Sequence, residues 1–289
     1  MSSFAPKKIL FERGKNESFY KLYDGKTSTF TMEDWVFSEE TAQKRLLKQF
    51  EVSTLKGFGI SELKDAIVAA GAILYYLDQT QHFQTSHITQ ISRIHSENFV
   101  WLDKFTIRNL ELFSTGYGDG KSLVDVLDDT RTAMGARLLR RYVAFPLKDV
   151  DAINARLNVV DSFFREPEIK DTLLSLLSDV GDLERLVSKI AVLRVNPREV
   201  VQLKLALTAI ENIKSLLSAS NSEDFNKIAE KLSPLTEIRD KIHAWVELDP
   251  PVAVNRGKVI REGVDAELDE YRSLAFSGKD YLLKIQQRE

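Results

Sequence analysis

FVWLDKFTIRNLELF at residues 99–113, STGYGDGKSLVDVLDDT at 114–130 and RTAMGARLLRRYVAFP at 131–146 form the stretch around which the chain is organised. Two dense apolar segments flank a glycine-rich loop. In the second segment Met134, Leu138, Tyr142 and Phe145 are spaced by four, four and three residues, which predicts a helix. Pro146 stops it. Arg108, Glu111, Arg137, Arg140 and Arg141 sit among the apolar residues, as expected where a core meets buried or half-buried ion pairs.

The loop between the segments imitates a phosphate site. Gly120-Lys121-Ser122 matches the end of a P-loop, G-x-x-x-x-G-K-[ST], whose backbone amides and lysine cradle phosphates. The first glycine belongs at position 115, which is Thr115, and Gly116 lies one residue too close. A P-loop also leaves a buried strand, and the charged run from Asp103 to Glu111 does not suggest one. The dinucleotide pattern fails too, since Gly116-x-Gly118 needs glycine where Lys121 stands. A surface loop is the better reading.

Working outward, 289 residues allow one or two domains with a real core. A hydrophobic content of 43% and a charged content of 29% are those of an ordinary globular protein. No apolar run approaches the ~20 residues of a membrane helix, and MSSFAPKKILFERG lacks the apolar stretch of a signal peptide. Zero cysteines exclude disulfides, thiolate zinc and a cysteine nucleophile. A cytoplasmic location without membrane contact is expected. The net charge of −3 argues against a surface that is basic all over.

Toward the N-terminus ILFER, SFYKLY and STFTM are short strand-like runs, and Asp24-Gly25 signals a hairpin. Ser38 or Thr41 can cap a helix reaching Phe50. After the turn Lys56-Gly57-Phe58-Gly59, Ser61 can cap a helix over 62–82 with Leu63, Ile67, Ala70, Leu74 and Leu77 on one face. Ala69, Ala70, Gly71 and Ala72 would let a neighbouring helix approach it closely. HITQISRIHSENF, residues 87–99, alternates like a strand.

Toward the C-terminus helix follows helix. The stripes are Ile153, Leu157, Val160 and Phe164; Ile169, Leu173 and Leu176; Leu183, Leu186, Ile190 and Leu193; Val200, Leu203, Leu207, Ile210 and Leu217; and Leu235, Ile238, Ile242 and Val246. No fixed repeat length relates them, so a bundle is expected and a regular solenoid is not. Composition shifts at Asp249-Pro250-Pro251, after which VAV and KVI flank the turn Asn255-Arg256-Gly257 as a small hairpin. A helix from Val264 still runs at Glu289 without a stop signal, as if cut within a longer protein. The expected class is mainly α: a multi-helix bundle with a small β-containing N-terminal piece, then a short hairpin and a truncated long helix.

No catalytic constellation stands out. His82, His87, His95 and His243 are scattered without metal-site spacing. Glu267 and Glu270 read as a solvated acidic face, with no matching carboxylates elsewhere. Arg131, Arg137, Arg140, Arg141 and Lys148 form the densest basic cluster. It can contact phosphates, or Arg137 and Arg141 can pair with Asp125, Asp128 and Asp129, and the nearby acidic run favours pairing. No catalytic, cofactor or metal residue is assigned, which points to a scaffold, lever or binding role.

WLDKFTIRNLELF followed by SLVDVLDDTRTAMGARLLRRYVAFPL resembles the central region of the MutS family of DNA mismatch-repair proteins. LLKQFEVSTLKGFG, AAGAILYYL, VGDLERLVSKIA, NPREVVQLKLAL and PPVAVNRGKVIREGVDAELDEYRSL extend the likeness in collinear order. The resemblance implies that residues 1–60 are the tail of a connector domain, 61–248 the first segment of a helical core or lever, and 249–289 the start of a clamp. It implies a full-length homodimeric ATPase that uses ATP and magnesium, binds mismatched duplex DNA and MutL, and holds no cofactor in this section. The family's mismatch-reading Phe-x-Glu context is absent. Phe37-Ser38-Glu39 and Phe164-Arg165-Glu166 match only its three letters, so that role is not transferred. Arg108, Asn109, Glu111, Gly135 and Arg137 are the positions expected to form a structural coupling hub. A paralogue or helical adaptor outside repair, or a nucleotide-binding enzyme using residues 116–122, are the alternatives.

Overall fold

A computed structural model describes residues 6–15, 17, 19, 27–80, 85–93, 96–116 and 120–275. The chain is mainly helical, with one small sheet near the N-terminus. It divides into two units, one of residues 1–161 and 187–194, the other of 162–186 and 195–289.

In the first unit β1 (Lys8–Glu12) and β2 (Ser28–Met32) pair in register from Lys8 with Ser28 to Glu12 with Met32. The pairing is parallel and joins the first and third of the strand-like runs, so it does not test a hairpin across Asp24-Gly25. Parallel strands need a crossover of about a dozen residues or more, and the interval between β1 and β2 is long enough to supply one. Asp24-Gly25 and most of SFYKLY lie outside the described residues.

Helix α1 (Glu39–Gln49) starts at Ser38, whose Oγ accepts the Thr41 N–H at 3.3 Å, so Ser38 is the cap and Thr41 is not. Helix α2 (Lys64–Gln79) starts later than expected. Its first cap position is Leu63, with no side-chain bond, and Ser61 Oγ is buried with no partner among the described residues. The two helices pack over Ala42, Leu46, Ile67 and Leu74, with Leu55 and Ile60 completing the cluster. At their crossing a Cβ added to Gly71 would lie 2.5 Å from Ala42 Cα, so only glycine fits. The small-residue run did foretell this approach. Met32 and Val36 pack against Ala72, together with Tyr75 and Tyr76. Helix α2 is therefore covered by α1 and by the β2 region.

Residues 87–93 are irregular, not a strand, and among the described residues of the rest of that run Phe99 alone makes a bridge. Next come α3 (Lys104–Asn109), α4 (Leu123–Leu127), α5 (Ala133–Ala144) and α6 (Val150–Arg165). The unit boundaries fall within α6 and α8 (Leu183–Ala191).

The second unit is built on α9 (Pro197–Ser218), whose 22 residues span about 33 Å. Asn196 and Glu199 cap it reciprocally at 3.0 Å in each direction, and Pro197 occupies its first turn. Helices α7 (Pro167–Val180), α10 (Glu223–Lys231) and α11 (Thr236–Trp245) pack along it. Its buried face holds Ala206, Leu207, Ala209, Ile213 and Leu217. Helix α10 was not expected, yet its Phe225 is fully buried against the Phe163 ring, with centroids 4.6 Å apart. At the same corner Ser220 Oγ donates to Glu166 at 2.7 Å, and the Ser162 and Ser222 hydroxyls are 2.8 Å apart.

The expected pairing of VAV with KVI is not formed. Val246 bridges Ile260 instead, while the Glu247 N–H reaches the Val259 carbonyl at 2.9 Å. Arg261 Nε adds a bond to the Val246 carbonyl at 3.0 Å. Residues 266–275 are helical, with the Asp265 carboxylate accepting the Leu268 N–H at 2.9 Å.

Candidate functional site

Residues 98–148 close on themselves. Phe99 and Leu147 form an antiparallel bridge. The Val100 N–H donates to the Pro146 carbonyl at 2.7 Å, and the Lys148 N–H to the Asn98 carbonyl at 3.2 Å. The Phe99 and Phe145 rings meet edge to face at 5.8 Å, an arrangement worth about 1 kcal/mol beyond its area. A second tie lies within the loop, where the Leu123 N–H donates to the Glu111 carbonyl at 3.0 Å and the Val124 N–H to the Leu112 carbonyl at 3.1 Å.

Short helices need such support, because a turn or two of helix is unstable alone. Helix α3 has 6 residues and α4 has 5. Asp103 caps α3 by accepting the Thr106 N–H at 2.6 Å. Ser122 and Asp125 cap α4 reciprocally: Ser122 Oγ accepts the Asp125 N–H at 3.3 Å, and the Asp125 carboxylate accepts the Ser122 N–H at 3.0 Å and O–H at 2.6 Å. Thr132 Oγ1 caps α5 through the Gly135 N–H at 3.0 Å. Ile107, Leu112, Val124 and Ala144 supply this region's buried apolar side chains.

Two carboxylates of the acidic run, Asp125 and Asp128, are held ionised. Bonds from the Ser122 hydroxyl and then its backbone N–H keep the Asp125 carboxyl below the usual carboxylate range, with Arg140 and Lys121 adding attraction. Thr130 does the same for Asp128, through its hydroxyl and then its backbone. Arg131 lies 3.7 Å from Asp129. Arg131 and Arg140 thus face the acidic residues, whereas the sequence assigned that pairing to Arg137 and Arg141.

Of the expected hub, Arg108 and Asn109 end α3 and are exposed, and no ion pair joins Arg108 to a described residue. Glu111 is half-buried, and its Oε1 accepts the Gly116 N–H at 3.2 Å. Gly135 lies in the first turn of α5, where a Cβ would come 3.1 Å from Thr132 Oγ1. Arg137 is exposed on α5. The set comes from two elements, the end of α3 and the N-terminal half of α5.

A phosphate cradle at Gly120-Lys121-Ser122 meets three obstacles. The Ser122 N–H and O–H both go to Asp125, and the side chain is fully buried. A Cβ on Gly120 would fall 2.7 Å from Thr115 Oγ1, so the threonine at the position where the motif needs glycine fills that space. Ser122-x-x-Asp125 is a capping box, which accounts for the serine without any phosphate. Among the described residues no group of His, Asp and Glu is placed to hold a metal, and no helix is long and apolar enough to cross a membrane.

The architecture is that of a mainly helical protein, whose described polar groups largely go into caps and closures. Among known families, MutS domain III matches residues 105–288 and MutS domain II matches residues 1–89. The chain belongs to the MutS family. It is 53% identical over all 289 residues to the DNA mismatch repair protein MutS of Bacteroides fragilis, covering 34% of that protein. The protein of the same name from Phocaeicola vulgatus is 54% identical with 33% covered, and that of Cytophaga hutchinsonii 44% identical with 34% covered; both matches take in the whole of this chain. The chain spans about a third of the length of the curated relatives it matches.

Proposed function

We propose that this chain is the central section of a DNA mismatch-repair protein, a lever that couples ATP-driven switching to the clamping of mismatched DNA. The observation that carries this reading is collinear identity, 53% over the whole chain, to a protein named for mismatch repair. Residues 1–60 are then the tail of the connector domain, 61–248 the first segment of the core or lever, and 249–289 the start of the clamp. ATP and magnesium act in another part of the full-length protein, and this section performs no catalysis itself. Mismatched duplex DNA and MutL are partners of the full-length cytoplasmic homodimer.

Physical support comes from rigidity. A helix about 33 Å long, packed along its length by three others, carries a displacement from one end to the other. Packed interiors resist continuous deformation and shift between discrete arrangements. Nucleotide state at one site can then bias DNA grip at another, which is a coupling free energy. Arg108, Asn109, Glu111, Gly135 and Arg137 are the residues assigned to the coupling hub. Arg108→Ala in the full-length protein should slow ATP-triggered release of mismatched duplex, measured by stopped-flow fluorescence, with mismatch affinity retained. Release at the wild-type rate would remove the hub assignment. Failure of the full-length wild-type protein to prefer mismatched over matched duplex would remove the repair reading.

A further inference from the structure

The end of α3 holds a glutamate where the backbone asks for glycine. Glu111 has a φ of 49°, in the left-handed region that a Cβ disfavours. The Glu111 N–H donates to the Arg108 carbonyl at 3.1 Å and the Leu112 N–H to the Ile107 carbonyl at 3.2 Å. These are the two bonds of a Schellman helix end, with the left-handed residue at the place glycine usually takes. Ile107 and Leu112 are both buried, as the apolar contact of that motif requires.

Glycine would make those bonds without strain. What glycine lacks is a carboxylate, and here Glu111 Oε1 accepts the Gly116 N–H at 3.2 Å. The Glu111 carbonyl meanwhile accepts the Leu123 N–H at 3.0 Å, at the start of α4. One residue therefore joins the end of α3, the following loop and α4. Its side chain opposes the strain of its own backbone.

We propose that Glu111 is a strained latch. Its carboxylate holds the chain leaving α3 in the left-handed state, and breaking that one bond lets the α3–α4 connection relax to a second backbone arrangement. The geometry is independent of the lever reading; only its consequence in the full-length protein rests on that reading.

Amide hydrogen exchange by NMR on the 289-residue chain tests the latch with three variants. In Glu111→Gly the Gly116 amide should exchange roughly tenfold faster or more, as for the loss of one bond to a charged acceptor. Leu112 and Leu123 should keep their protection there, since glycine removes the strain. In Glu111→Ala all three amides should lose protection, because strain remains with nothing opposing it. Glu111→Gln, which still offers an acceptor, should fall between wild type and Glu111→Ala. Unchanged Gly116 exchange in Glu111→Gly would overturn the latch, and so would equal Leu112 protection in the glycine and alanine variants. If exchange follows the expected pattern but full-length Glu111→Ala releases DNA normally on ATP addition, the latch stands and Glu111's place in the coupling hub falls.

Discussion

The α1–α2 pair and the 98–148 segment are held by different physics. In the pair, burial does the holding: Ala42, Leu46, Leu55, Ile60, Ile67 and Leu74 are all 6% exposed or less, and Gly71 lets the helix backbones touch. In the segment, Trp101, Phe105 and Val126 are 75%, 74% and 68% exposed, and closure comes from main-chain bonds and caps. A packed core resists continuous deformation and fails as a whole when overfilled. A frame tied by individual hydrogen bonds can lose one tie and keep its fold. The first region is suited to stay fixed and the second to shift.

The sharpest way to break this contrast is Gly71→Ala. The new methyl would meet backbone that cannot rotate away, and overpacking typically costs about 1–3 kcal/mol. Thermal denaturation should show a loss at or above the top of that range. A loss under about 0.5 kcal/mol, the level of an ordinary surface change, would mean that the two helices are not in close contact.

Within the segment, Ser122→Ala removes the α4 cap and should cost about 1 kcal/mol, read by denaturant midpoint. Ser122→Thr should recover most of it. A cost as large as that of Gly71→Ala would show the segment to be as tightly packed as the helix pair.

A smaller effect concerns acid. The Asp125 carboxyl is lowered by its Ser122 bonds, so its folded value lies below the ~3.9 of an unfolded aspartate. Its stabilising contribution is complete above the unfolded value and is lost as pH falls through the folded one. The melting temperature of Asp125→Asn should therefore depend less steeply on pH than that of wild type below about pH 4. Parallel curves would show that the cap contributes nothing. The smallest change expected is Phe105→Ala, within about 0.5 kcal/mol of wild type, since the ring already lies largely in solvent. A core-sized loss would erase the contrast.

Much of the secondary structure was legible because its signals are local. Ser38 marked a helix start through its capping chemistry, and Ala69 to Ala72 marked a close helix contact. The candidate site was legible only in part. The stretch was found, and so was the helix α5, and the P-loop was rejected at Gly120-Lys121-Ser122, but the capping box that Ser122 forms with Asp125 went unread. The left-handed backbone at Glu111 left no sequence signal, since glutamate is not the residue such a position prefers.

By itself the sequence determined where several of the helices begin or stop, because spacing by three and four and the chemistry of caps act within one or two turns. It also carried the family likeness, which is a property of order along the chain. Tertiary structure alone decided which apolar faces are covered. Phe164 is 81% exposed although it completes a regular stripe, while Phe225, in a helix with no marked stripe, is fully buried. It likewise decided that β1 and β2 run parallel, that Phe99 meets Leu147, and that Val246 takes Ile260 as its partner. Periodicity says which side of a helix is apolar, but burial and strand pairing depend on residues remote in sequence, and only the folded chain brings those together.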